Sequence, residues 1–302
     1  MEDGATDGEI PLTEGLDELS EEDQDLMARM HVTVPPKKAG RLSLQRFTIR
    51  PNDDAGHSHY GKRMAEPGEY SKLQELIPGH PHGGVVWMSD TPAELVDHLE
   101  VARLIARPTT KRVLINGLGL GCIAKLAASF DHVERIDVVE LDPRVVKIVG
   151  RWFDVNYGSR VRVVQADAYK VEWAKDMHWD VVWHDIWPHI DEDNLPEMHR
   201  LHDKYAGRSD WQGYWVVELC MMMHDVNREL FRRVEEQDGR LPQLGDELWE
   251  SYQEYLELEH HYAWFVEQGY HAAPRDGHPT PLDQLDENWE EKRPKAIWRV
   301  LP

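Results

Sequence analysis

Three glycines at alternate positions, Gly117-Leu118-Gly119-Leu120-Gly121, constrain this chain more than any other feature. They follow an apolar run, Arg112 to Asn116 (RVLIN), and precede a helix expected to reach Phe130. Glycine lets the backbone turn tightly and approach a ligand with no Cβ in the way. The helix start beyond adds N–H groups and the positive end of a dipole. The last spacing departs from the G-x-G-x-x-G of dinucleotide binders, and taken alone the motif also fits a plain strand-to-helix turn.

The surrounding pattern supplies context. After RVLIN, strands are expected at Arg135–Glu140 (RIDVVE), Val161–Gln165 (VRVVQ), Asp180–His184 (DVVWH) and Tyr214–Leu219 (YWVVEL). Helices are expected at Pro143–Phe153 and Leu195–Tyr205 between them. Strands alternating with helices at this spacing imply a mostly parallel sheet with helices on both faces, an α/β, Rossmann-like core. A further helix should begin at Thr91-Pro92-Ala93-Glu94, with an N-cap Thr, Pro at the first turn and Glu three residues after the cap. Leu95, Leu99, Ala102 and Ile105 would form its apolar face, and Pro108 would close it.

Upstream, Leu42–Arg50 (LSLQRFTIR) alternates as a strand does, and Gly84–Met88 (GVVWM) reads as another. Residues 51–82 read as irregular loops with one short strand. The division expected is an acidic, disordered or loosely docked leader over 1–30, a small β-rich unit over 31–90, a nucleoside-binding core over 91–220 and a helical extension over 221–302. In the extension, 222–237 and 244–268 read as helices that could cover the sheet, form a lid or dimerise, covering being the default, and 296–301 as an edge strand completing the sheet.

Charge bears on partners. The net charge is −22, with 56 acidic against 34 basic residues. A nucleic-acid binder needs a basic face to neutralise phosphates, which argues against nucleic acid as substrate. Residues 1–30 lack the basic and apolar regions of a signal peptide. No apolar run approaches the roughly 18 residues of a membrane span. Cys122 and Cys220 sit in apolar runs and read as reduced core thiols, so a cytoplasmic protein is expected.

Three acids stand where a parallel sheet would use them. Glu140 ends the second core strand, 19 residues after Gly121, where a carboxylate can accept hydrogen bonds from both ribose hydroxyls. Asp167, followed by Ala168, comes just after the third strand and could accept an adenine amino group; a loop-capping Asp is the plainer reading. Asp185 follows the fourth strand, where an acid could orient a nucleophile or take its proton; a helix-capping Asp is the plainer reading there.

The order VLINGLGLG, VVELD, ADAY, WDVVWHD resembles the class I S-adenosylmethionine-dependent methyltransferases, and most of all their spermidine synthase branch. That branch commonly reads VLIIGGGDG, without the acid that many methyltransferases carry two residues before the first glycine, and here Ile115 stands at that place. The likeness runs from about Gly83 to Leu219. It implies a class I methyltransferase fold with Gly117, Gly119, Gly121, Glu140, Asp167 and Ala168 binding S-adenosylmethionine or its decarboxylated form. Asp185 matches the first acid of the family's catalytic DSxDP loop. Two places depart. Ile186-Trp187-Pro188 lacks the loop's second acid. GGVVWMSDTPAELVDH resembles the family's DGVVQxxxxDExxYHE, yet Trp87 replaces its Gln and Asp97 its Tyr, while Glu94 and His98 persist.

The expectation is therefore a transferase, with methyl transfer to a small-molecule or protein acceptor ahead of aminopropyl transfer to a polyamine. A non-catalytic binder of the nucleoside is the reading from a different class. A homodimer is compatible with the likeness. Histidines at 57, 59, 80 and 82, and at 184, 189, 199 and 202, match no metal-ligand spacing, so no metal is expected. Trp183, Trp187 and Trp211 could line an acceptor pocket or simply pack the core.

Overall fold

A computed structural model describes residues 19–50, 67–80, 83–221 and 224. At its centre lies a five-stranded sheet in the order β7-β6-β5-β8-β9. The strands are β5 (Arg112–Asn116), β6 (Arg135–Glu140), β7 (Val161–Gln165), β8 (Trp179–His184) and β9 (Ser209–Tyr214). All four pairings are parallel. Val113, Leu114 and Ile115 of β5 are buried, the unbroken apolar run of a strand covered on both faces. The chain runs outward from β5 to β7 and then returns to lay β8 on the other side of β5. The loops after β5 and β8 therefore diverge at a topological switch point, where open α/β sheets hold ligands.

β9 corrects the sequence expectation of a strand at Tyr214–Leu219. Its register is fixed by Trp179↔Ser209 through His184↔Tyr214. The ladder ends where Trp215 N donates to His184 O at 2.9 Å. Val216 then takes φ 49°, and 217–221 are helical. The run WVVELC is apolar because it is buried, and a short buried run does not distinguish strand from helical turn.

A second, antiparallel sheet precedes the core, with β1 (Lys37–Ala39), β2 (Leu42–Ile49), β3 (Gly68–Leu76) and β4 (Gly84–Ser89) in sequence order. β3 is longer than the short strand expected among loops and pairs along its length with β2. Its alternation is hidden in the sequence because Ser71 and Gln74 are as buried as Tyr70 and Leu73. Ser71 N donates to Asp90 Oδ1 at 2.5 Å.

Of the leader, residues 1–18 lie outside the described residues, and 19–30 are docked rather than disordered. Its last ten residues form α1 (Glu21–Met30), capped by Ser20 Oγ accepting from Asp23 N. Leu26, Met27 and Met30 are buried. Arg103 grips Asp23 with two hydrogen bonds, at 2.8 and 2.9 Å. Lys125 Nζ donates to Arg29 O at 2.7 Å. An apolar face and an ion pair dock this segment despite its acidity.

The helix expected after Thr91 is broken into α2 (Pro92–Leu95), a 3-10 turn at Val96–His98 and α3 (Leu99–Ala106). Leu95, Leu99, Ala102 and Ile105 are buried as their spacing predicts. The capping is different, since Thr91 makes no side-chain cap. Glu94 instead accepts from Ser89 N at 2.7 Å and Ser89 Oγ at 2.6 Å, tying the helix start to β4. α4 (Cys122–Ala128) follows the glycine loop. After β6, α5 (Pro143–Val145), a π turn at Val146–Gly150 and α6 (Arg151–Tyr157) replace the single helix expected. α7 (Leu195–Tyr205) matches its expected bounds. Among the described residues, no helix is long and apolar enough to cross a membrane. The helices expected at 222–237 and 244–268 and the edge strand at 296–301 lie outside the described residues, apart from His224.

Candidate functional site

The loop leaves no room for a Cβ at any of its three glycines, which are hemmed in by Asp185, Met88 and Phe153 respectively. Gly117 has φ 98°, and a Cβ there would collide with the backbone carbonyl of Asp185. Gly119 has φ 51°, and a Cβ would overlap the thioether of Met88. Gly121, at φ 84°, caps α4. The backbone conformation and the closeness of β8 both require glycine at 117.

Glu140 closes the loop from the β6 side. Its Oε2 accepts from Leu118 N at 2.9 Å and its Oε1 from Asp142 N at 2.7 Å. Burial pushes its carboxyl up, while the backbone donors at Asp142, Leu118 and Gly119 oppose that shift. The two oxygens together offer four lone pairs, and the Asp142, Leu118 and Gly119 amides take three of them. One acceptor site is left for a ribose hydroxyl.

Asp167 sits at the neighbouring strand end. Ala166 N donates to Glu140 O at 3.0 Å, which brings the turn after β7 beside Glu140. Asp167 Oδ1 accepts from Tyr169 N at 2.9 Å, and Oδ2 pairs with Lys170 Nζ at 3.0 Å. The Lys170 bond holds this carboxyl below the usual range. The loop-capping role expected as the plain reading of Asp167 is present. Ala168 is buried in a cluster with Trp179 and Tyr205, and its carbonyl accepts from Lys204 Nζ at 2.6 Å.

Asp185 lies across the loop from Glu140, at the end of β8. Its N–H donates to Asn116 O at 2.8 Å, which fixes its backbone against β5. Burial pushes its carboxyl up to about 7, and the carboxylates of Asp97, Glu94 and Glu140 add to that shift. Met88, His98, Gly117, Cys122, Trp183 and Asp185 line one pocket. His98 stands edge-on to Trp183, with centroids 5.7 Å apart. Trp183 lies parallel to Trp211 at 6.4 Å. Trp183 is thus a pocket wall, whereas Trp187 donates to Glu197 Oε2 at 3.0 Å.

The sequence reading overlooked part of this site. Asp97, which stands where the family pattern has tyrosine, adds to the effect of burial in raising the carboxyls of both Asp185 and Glu218. Glu218 follows the strained turn at Val216, and burial pushes it up to about 7. Glu100 is pushed up to about 8 by burial, then by Glu218. Misplacing β9 hid Glu218, since a strand over 214–219 gives no reason to turn it towards Asp97. Met88 carried no signal, being one apolar residue within a strand. Among the described residues, no group of three or more His, Cys, Asp or Glu is arranged to hold a metal ion. Of the histidines considered for a metal, 57, 59 and 82 lie outside the described residues.

Strand order, parallel register and glycine loop define the Rossmann-like fold of the class I methyltransferase type. In sequence the chain is similar to polyamine aminopropyltransferases. It is 33% identical over 162 residues to the one from Agathobacter rectalis, covering 51% of each chain. It is 28% identical over 93 residues to the one from Clostridium botulinum, covering 30% of this chain and 32% of that one. The chain therefore spans about half the length of the first relative and about a third of the second. No family model matches. Among solved structures, an S-adenosylmethionine dependent methyltransferase from Mesorhizobium loti overlaps at TM-score 0.27, with 18% identity over 35% of this chain and 47% of that one. The CcbJ methyltransferase from Streptomyces caelestis overlaps at TM-score 0.28, with 20% identity over 34% and 43%.

Proposed function

We propose that this chain is a transferase that moves a carbon group from an S-adenosylmethionine-type sulfonium to an amine acceptor. The observation that carries the reading is the opposition of Glu140 and Asp185 across the glycine loop. One face offers a carboxylate acceptor for a nucleoside hydroxyl. The other offers a half-buried acid, with Asp97 and Glu94 close enough to perturb it. The residues fit the nucleoside half of the donor, because the loop admits close backbone approach and Glu140 keeps an acceptor site for a ribose hydroxyl.

The donor, when bound, supplies an activated carbon whose bond to sulfur breaks as the nitrogen lone pair forms the new bond. The chain has three tasks. Gly117 and Glu140 hold the nucleoside so that the carbon faces the pocket. Asp185 and Asp97 attract a protonated amine and orient it. Asp185, with a pKa near the working pH, takes the nitrogen's proton, as a general base does best when its pKa is so placed. Alignment of the two reactants supplies most of the remaining acceleration.

Methyl transfer is the first reading because Trp87, Asp97 and Ile186 rebuild the acceptor half relative to the polyamine pattern. Aminopropyl transfer is the second, favoured by the names of the two sequence relatives. Calorimetric titration with S-adenosylmethionine and with its decarboxylated form separates them. Tighter binding of the carboxylated donor, followed by methylation of an amine from a panel, supports the first. Tighter binding of the decarboxylated donor supports the second. Failure of both to bind overturns the donor reading.

A further inference from the structure

β4 meets the glycine loop through a break in its register. Pairing with β3 runs Gln74↔Val86 and then Leu73↔Met88, so Trp87 is an extra residue with nothing opposite. A bulge of this kind bends its strand and re-aims the neighbouring side chains. Trp87 is turned outward, with the Arg144 guanidinium 5.3 Å from its ring centre. Met88 is turned onto the loop. Its Sδ accepts the Leu120 N–H at 3.1 Å. It also fills the space that a Cβ on Gly119 would need, and it lines the pocket shared by Gly117 and Asp185. A thioether from the antiparallel sheet therefore sits on an amide of the donor loop.

We infer that Met88 is a specificity residue for the donor: it occupies the Leu120 amide and yields that amide only to a donor bringing a carboxylate. The inference rests on the donor reading proposed above. A thioether sulfur is a weak acceptor. A carboxylate makes a charge-assisted bond roughly twice as strong as a neutral one, so it displaces the sulfur. Methionine is unbranched with three rotatable bonds, so the displaced side chain can swing away without moving β4. A ligand without the carboxylate has nothing to offer Leu120 and leaves Met88 seated. Met88 thereby sets how strongly the chain distinguishes carboxylated from decarboxylated donors.

The test is calorimetric titration of the wild type, Met88→Ala and Met88→Leu with S-adenosylmethionine, decarboxylated S-adenosylmethionine and 5′-methylthioadenosine. Removing the competing sulfur in Met88→Ala should tighten S-adenosylmethionine about three- to tenfold. The two ligands without a carboxylate should change by no more than about twofold. Met88→Leu also lacks the sulfur but keeps the bulk; it checks folding and should show a smaller gain than Met88→Ala, confined likewise to S-adenosylmethionine. A second reading uses the Met88 methyl resonance, identified by its loss in Met88→Leu. It should move on saturation with S-adenosylmethionine and stay in place with methylthioadenosine. Equal changes for all three ligands in Met88→Ala, or an unmoved methyl at saturation, would overturn the inference while leaving the donor reading intact. Absence of binding by all three ligands to the wild type would remove the donor reading itself, and the role of Met88 with it.

Discussion

The carboxylate of Glu140 accepts the backbone N–H of Leu118 at 2.9 Å, so the acid proposed to hold the ribose also holds the glycine loop. Glu140→Ala should therefore do two things. Donor affinity should fall by roughly 1–3 kcal/mol, the cost of leaving polar groups without partners. The loop should also loosen, visible as faster hydrogen exchange at the Leu118 amide. Glu140→Gln keeps one acceptor oxygen and should fall between the two. Unchanged affinity in Glu140→Ala would remove Glu140 from the donor site.

Gly117→Ala tests the close approach of β5 and β8. The added methyl would meet the Asp185 carbonyl in a backbone region that L-residues avoid. Strain in such a region costs about 1–3 kcal/mol before the collision is counted. The variant should lose thermal stability and donor binding together. Gly158→Ala is the control: it too has positive φ, but nothing lies within 4 Å of its added Cβ. It should lose less stability and no affinity.

Much of this fold could be read from the residues. RVLIN and RIDVVE have the expected bounds because central parallel strands, buried on both faces, read as largely apolar runs. VRVVQ was legible from its valines, although it is the partly exposed edge strand. Glu140 was legible because its distance from the loop is set by one helix and one strand. β9 was misplaced because Trp211 and Gln212 lie in a polar-looking segment, while the more apolar run after it is a helical turn. The docking of α1 was masked by composition, although Ser20, Asp23, Leu26 and Met30 already held a cap and an apolar face. Asp97 and Met88 were not legible, since their roles come from tertiary packing against the ends of β8 and β9 and against the glycine loop rather than from local pattern.

Asp185 carries a pH prediction with a definite sign. Its folded pKa, near 7, lies above the ordinary value of 3.8. Between about pH 4 and 7 the unfolded chain has released this proton and the folded chain keeps it, so folding stability falls as pH rises through that window. Activity runs the other way, because the base must be ionised. The rate at limiting substrate should rise with pH through about 7. Asp185→Asn should lose roughly two to four orders of magnitude in rate and the pH dependence with it. The same variant should melt higher than the wild type at pH 8, and a lower melting point there would contradict the raised pKa.

His184 makes the opposite prediction, from the centre of the sheet. It is fully buried, with Asn116 Nδ2 at 2.9 Å from Nδ1 and Gln212 Oε1 at 3.3 Å from Nε2. Asn116 donates to Nδ1, so the neutral ring carries its proton on Nε2 and gives it to Gln212. Tyr214 stacks on the ring with centroids 4.8 Å apart. Burial lowers the His184 pKa to about 3, against an ordinary value of 6.5. Below pH 6.5 the unfolded chain gains a proton that the folded chain refuses, so stability is lost as pH falls from about 6.5 towards 3. His184→Gln should cost about 1–3 kcal/mol at pH 7.5, because the bonds joining β5, β8 and β9 no longer fit. The variant has no group to titrate there, so its deficit should shrink as the pH is lowered to 5. Melting curves of both proteins across that range decide the matter: a deficit constant with pH would mean that another group sets the acid limb and that His184 is protonated in the folded chain.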